Sequence, residues 1–257
     1  WISRIHNNLG EPARAWAALE QALQLVSALR GAGDDNLLRQ RETNLHYLLG
    51  MNSLYRGDPI RARQEFDQAL TLARLDVTND PSQPRRQAML AKISFEWVRA
   101  NTARGNDVEA VLAEGLGALS GLPADALARN ERLGLEARAC MAQAVHGSST
   151  VIQLDCRQRV WPALMQAAKD DADVLELAAE LATTLARERP ASLSEKQMQD
   201  TLRQLTELPA PLRMSLGYLL VERDLREQAD PGSAQIAEIT AQIERLRASF
   251  VANPPGS

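Results

Sequence analysis

An all-α array of antiparallel helix pairs is the fold class the sequence predicts, on three observations. A helix-turn-helix phrase recurs: NNLGEPARAWAALEQALQLV over Asn7–Val26, LLGMNSLYRGDPIRARQEFDQALTLA over Leu48–Ala73, and a weaker copy, WVRANTARGNDVEAVLAEGLGAL, over Trp97–Leu119. The turn glycines Gly10, Gly57 and Gly105 lie 47 and 48 residues apart, a period that marks a helical repeat array. Hydrophobic residues make up 45% of the 257 residues and aromatics only 4%, with abundant alanine, which suits closely packed helices rather than a sheet sandwich. Finally, no stretch alternates apolar and polar residues over more than a few positions, as a half-buried strand would.

Each element follows from local signals. In the second copy Leu45, Leu48, Leu49 and Tyr55 recur at helical spacing. Gly57-Asp58-Pro59 breaks that helix, and Asp58 is placed to cap the next one, with Pro59 in its first turn. The second helix carries Ala62, Phe66, Ala69 and Leu70 on one face. Small residues at Gly50, Ala62 and Ala69 let the pair approach closely, and Phe66 fills the remaining gap. Asp76–Pro84 is expected as a loop, with a fresh helix from Arg85. Further helices are expected over Ala124–Val145, Val151–Trp161, Asp171–Arg189, Ser194–Leu208, Leu212–Gln228 and Ser233–Val251. Pro162 is expected either to kink the chain or to open a helix, and Ser192 with Glu195 reads as a capping box. The organisation is therefore 1–122 as the repeats, 123–251 as diverged helices ending in a capping helix, and 252–257 as a frayed tail.

The second copy resembles the tetratricopeptide repeat. That family's small residue, turn glycine, alanine, aromatic and alanine correspond to Gly50, Gly57, Ala62, Phe66 and Ala69. In the first copy Gly10, Ala15, Leu19 and Ala22 match, with leucine for the aromatic. In the third, Gly105 and Ala110 match, while Glu114 replaces the aromatic, Gly117 the alanine and Val98 the small residue. The period is longer than the family's usual one. The long period and the Asp80–Ser94 segment resemble arrays attached to bacterial signalling proteins, such as serine/threonine kinases or membrane-tethered transcription regulators. The resemblance implies a right-handed α-solenoid, tetratricopeptide-like in its N-terminal half, that binds protein and has no catalytic role.

It also implies a concave groove lined by the first helix of each pair. Carried over residue by residue, the lining is Asn44, Tyr47, Met51, Leu54 and Tyr55 in the second unit, Lys92, Phe95, Arg99 and Thr102 in the third, and Arg4, Asn7 and Asn8 in the first. Arg4, Lys92 and Arg99 suit an acidic segment. The alternative for Tyr47 and Phe95 is packing between repeats. A second function remains open: a regulatory domain that closes around a small molecule or peptide.

Other classes find less support. Net charge is −4 and the charges are mixed, with no basic face of the kind nucleic-acid binding needs. No apolar run is long enough to span a bilayer. G-x-S-x-G, a glycine-rich phosphate loop and H-E-x-x-H are all missing, so no enzyme, cofactor or metal is expected. Asp170-Asp171 and Arg85-Arg86 read as helix-terminal charges. The last helix, with Ile236, Ile239, Ile243, Leu246 and Phe250 on one stripe, either packs on its neighbour or mediates self-association.

Cys140 and Cys156 each stand eight residues from Ser148 in the turn between two expected helices, hence at equal height in an antiparallel pair. They form either a disulfide, which requires an oxidising compartment, or two separate buried thiols. His146 on the same hairpin lacks a full ligand set for a metal. Because the sequence opens at Trp1 in helix-like composition, it is expected to be part of a longer protein. An extracytoplasmic, periplasmic position on a membrane-anchored protein is favoured over a cytoplasmic one.

Overall fold

The computed structural model describes residues 12–30, 36–101, 106–146, 155–168, 172–188, 195–207, 213 and 215–252. Among them the chain is all-helical, with eleven α-helices and no strand. Two compact units are present, one of residues 16–142 and the other of 143–257 together with the first fifteen.

The helices of the 16–142 unit are α1 (Pro12–Arg30), α2 (Asn36–Arg56), α3 (Pro59–Asn79), α4 (Pro84–Ala100), α5 (Asn106–Ser120) and α6 (Arg129–His146). From α2 to α5, each helix packs on the next in sequence. The α2–α3 turn follows from three residues. Gly57 has φ 78°, a left-handed conformation that glycine adopts without Cβ strain. Its N–H donates to Leu54 O at 2.9 Å and that of Asp58 to Ser53 O at 2.9 Å, closing a Schellman motif. Asp58 Oδ1 then accepts from the Arg61 N–H at 3.0 Å, and Pro59 opens α3.

Two expected boundaries move in this unit. Asp76–Asn79 continue α3 instead of starting a loop, because Asp76 is buried and accepts from Arg39 Nε at 2.6 Å. The helix expected from Ala124 begins at Arg129, after a turn in which the Ala126 N–H donates to Pro123 O at 3.1 Å. The expected turn Gly147–Thr150 lies outside the described residues, as do Gly10, Gly105, Ser192 and residues 253–257.

The core of this unit gathers Phe66, Ala69 and Leu70 of α3 with Ile93, Phe95 and Val98 of α4, Val111 and Leu112 of α5, and Ala139 and Ala142 of α6. Two aromatic rings fit into glycine notches. A Cβ built on Gly50 would lie 2.6 Å from Phe66 Cε1, and one on Gly115 would lie 2.8 Å from Phe95 Cε1. Trp16 of α1 is buried, with the Arg56 guanidinium 4.5 Å from its ring centroid.

In the other unit a π-helical turn (Cys156–Val160) leads into α7 (Trp161–Ala167). The Trp161 N–H reaches back to Cys156 O, and Pro162, which has no N–H to donate, sits in the first turn of α7. Then come α8 (Ala172–Glu188), α9 (Glu195–Thr206), α10 (Leu216–Ala229) and α11 (Ala234–Ala252). The start expected at Leu212 shifts to Leu216 because Ser215 caps α10, its Oγ accepting from the Tyr218 N–H at 3.1 Å. Leu181, Leu185, Leu205, Tyr218 and Leu225 are buried there, and the Tyr218 hydroxyl donates to Leu205 O at 2.8 Å. Burial pushes that hydroxyl's pKa well above its ordinary range.

Candidate functional site

The expected groove residues divide by exposure. Asn44 is exposed, and Met51, Leu54 and Tyr55 are half-buried on α2. Lys92 and Arg99 are half-buried on α4, and Thr102 lies outside the described residues, as do Arg4, Asn7 and Asn8. Two of the set are core residues. Phe95 is 0% exposed because its ring occupies the Gly115 notch. Tyr47 is 4% exposed and tilts against Phe66 with ring centroids 6.2 Å apart. Packing between repeats is the alternative for both; these contacts are instead with the second helix of each residue's own pair, α5 for Phe95 and α3 for Tyr47.

Helical spacing gathers Lys92, Glu96 and Arg99 on one face of α4. Glu96 is 1% exposed, yet it is well satisfied: Arg138 Nε of α6 donates to one oxygen at 3.0 Å and Arg99 to the other at 2.8 Å. A buried carboxylate needs such partners, since leaving it unpaired would cost several kcal/mol. The Lys92 ammonium lies 4.1 Å from the Tyr47 ring centroid. Burial pushes its pKa down to about 8, and the Arg138 charge adds to this while Glu96 and Glu131 oppose it. Two arginines thus hold one wholly buried carboxylate, and Lys92 stands one helical turn before it.

Toward the N-terminal ends of α2 and α4 the same two helices border an open cleft of about 530 Å³. Its lining includes Leu37, Gln40, Arg41 and Asn44 from α2, and Arg85, Arg86 and Met89 from α4. Asn44 therefore joins the cleft to the half-buried row Met51, Leu54 and Tyr55.

His46 is half-buried, and its Nδ1 lies 2.7 Å from Glu65 Oε2. Cys140 and Cys156 are both buried. On α11, Ile239 and Ile243 are buried and the helix packs on α10. Among the described residues no group of His, Cys, Asp and Glu is placed to hold a metal ion. Among the same residues no helix is long and apolar enough to cross a membrane.

Sequence reasoning missed Glu96, Arg138 and the arginine cleft. Glu96 was detectable: it stands four residues after Lys92 and three before Arg99, on one helical face. Arg138 and Arg41 gave no such signal, because their placement depends on packing between helices distant in sequence. No protein-family model matches the chain, and no curated protein or solved structure matches it either.

Proposed function

We propose that α1–α5, within residues 1–122, form a right-handed, tetratricopeptide-like solenoid of antiparallel pairs, and that the helices of 123–251 are diverged repeats ending in a capping helix. Its function is non-catalytic: capture of an acidic, extended or helical protein segment between α2 and α4, as the interaction or sensor region of a larger bacterial signalling protein. One observation carries this reading. The half-buried Met51, Leu54 and Tyr55 stand on α2, and α4, whose Lys92 ammonium lies over the Tyr47 ring of α2, carries Lys92 and Arg99 as half-buried cations. Apolar and tyrosine side chains with arginine nearby are the composition that interfaces favour. We assign a Cys140–Cys156 disulfide and an extracytoplasmic location on the same footing.

Selection of a random peptide display library against the full chain tests the groove. Acidic sequences should be enriched, and their binding should fall tenfold or more, about 1.4 kcal/mol, in Arg99→Glu and Tyr55→Ala variants of unchanged circular dichroism. Enrichment without acidic residues, or binding indifferent to both substitutions, would reject it. Alkylation of protein purified without reductant tests the compartment: two free thiols would place the chain in the cytoplasm.

A further inference from the structure

The cleft between α2 and α4 holds cations that the described residues leave unneutralised. Arg41 and Arg85 stand exposed in its wall, and neither has an ion-pair or hydrogen-bond partner among the described residues. Arg86, half-buried, donates to Asp76 O at 2.9 Å, and its other nitrogen is 3.9 Å from Asp80 Oδ2, beyond hydrogen-bond reach. Among the described lining residues Asp76 is the one acid, and its carboxylate is engaged by Arg39 Nε at 2.6 Å with both side chains buried. Among the described residues its lining therefore presents three guanidiniums and no unengaged carboxylate. The amides of Gln40, Asn44 and Gln83 supply further donors. Gln83 is the N-cap of α4 and makes no side-chain capping bond, so its amide is not drawn back onto the helix.

We propose that this cleft binds a phosphate-monoester dianion, contacted by Arg41, Arg85 and Arg86. The match is in geometry as well as charge. A planar guanidinium offers two parallel N–H donors to two oxygens of one phosphate, and two unengaged forks suit a doubly charged group with three terminal oxygens. The cleft volume of about 530 Å³ lies in the range of small-molecule sites, so it has room for an organic body beyond the phosphoryl group. Leu37, 57% exposed, and the half-buried Met89 give that body apolar surface. The chemistry is shared by a small soluble phosphate ester and a phosphorylated side chain. This site does not depend on the acidic-segment reading, since it uses neither Arg99 nor Tyr55.

The test titrates the full chain with phenyl phosphate, a short phosphoserine peptide and benzoate by calorimetry, with sodium chloride at matched ionic strength as the reference. Phenyl phosphate should bind saturably and more tightly at pH 8 than at pH 5, because the monoester takes its second charge near pH 6. An Arg41→Gln/Arg85→Gln double variant should lose tenfold or more in affinity. Its unliganded melting temperature should hold or rise, since two neighbouring like charges are removed. Tighter binding of the peptide than of phenyl phosphate would identify a phosphorylated side chain as the source, and the reverse a soluble ester. Benzoate binding as tightly as phenyl phosphate, a heat reproduced by chloride alone, or affinity unchanged in the double variant would each overturn the proposal.

Discussion

The α2–α3 pair and the α4–α5 pair solve one packing problem in opposite directions. In α2–α3 the ring comes from the second helix: Phe66 fills the notch at Gly50 on the first. In α4–α5 it comes from the first helix: Phe95 fills the notch at Gly115 on the second. Both rings are 0% exposed. In both pairs a bulky ring on one helix fills the notch left by a glycine on the other, and close packing is served whichever helix carries the ring. A motif read position by position finds the first arrangement and marks the second as degenerate. The positions freed in α4–α5 take other work: Glu114, where the aromatic would stand, makes an ion pair with Arg74 of α3 on the surface.

If the two arrangements are equivalent, removing either ring should cost the same. Phe66→Ala and Phe95→Ala are each expected to destabilise by roughly 3–5 kcal/mol, the range for buried phenylalanine, in urea or guanidinium unfolding of the full chain. The comparison breaks if Phe95→Ala costs less than about half of Phe66→Ala, which would mean that α4–α5 tolerates a void that α2–α3 cannot.

The notches give a smaller effect of opposite chemistry. A methyl on Gly50 would lie 2.6 Å from Phe66 Cε1, and one on Gly115 would lie 2.8 Å from Phe95 Cε1 and 2.9 Å from Ser94 Cβ. Gly50→Ala and Gly115→Ala should each destabilise by about 1–3 kcal/mol through overpacking. Gly117 is the control: nothing lies within 4 Å of a Cβ there, so Gly117→Ala should stabilise by roughly 0.5–1 kcal/mol through helix propensity alone. A Gly117→Ala cost equal to that at Gly115 would mean the notch has no special geometry.

The same contrast explains what could be read from the sequence. The all-helical class, the Gly57-Asp58-Pro59 turn and the Phe66–Gly50 contact were legible, because each rests on residues close in sequence or on a repeated spacing. Phe95 was assigned to a groove by its place in the repeat, and its true partner Gly115 lies one helix away in a copy whose motif had lapsed. Gly117 drew attention as the replaced alanine, two residues from the glycine that matters. The arginine cleft was legible only as an Arg85-Arg86 helix end, since Arg41 joins it through packing of α2 beside α4.

The two first helices also differ electrostatically around Tyr47, whose ring on α2 receives Lys92 from α4. Lys92 loses its proton near pH 8 when folded, against about 10.5 ordinarily. The unfolded chain therefore holds more protons than the folded one between those values, so stability from this group rises with pH across the window and its penalty is full below about pH 8. Lys92→Met should stabilise the protein by about 1 kcal/mol at pH 7, the cation–π attraction to Tyr47 offsetting part of the desolvation. That gain should vanish as pH approaches 10.5. Thermal melts of both proteins at matched pH check this, and a difference that does not vary with pH would assign the effect to packing.

The smallest expected effect concerns Glu114. Arg74 Nε and Nη2 donate to its two oxygens at 2.9 and 2.7 Å, and this hydrogen bonding raises the Arg74 pKa above its ordinary value. The Arg74 side chain is 48% exposed, however, so water and salt screen the pair. A double-mutant cycle with Arg74→Ala and Glu114→Ala should give a coupling of roughly 0.2–1 kcal/mol that shrinks in 1 M salt. Glu114→Phe, which restores the motif's aromatic at its expected place, should not stabilise, because Phe95 already occupies the space between α4 and α5. A gain of more than about 1 kcal/mol from that substitution would show that the ring and its notch are not interchangeable between helices after all.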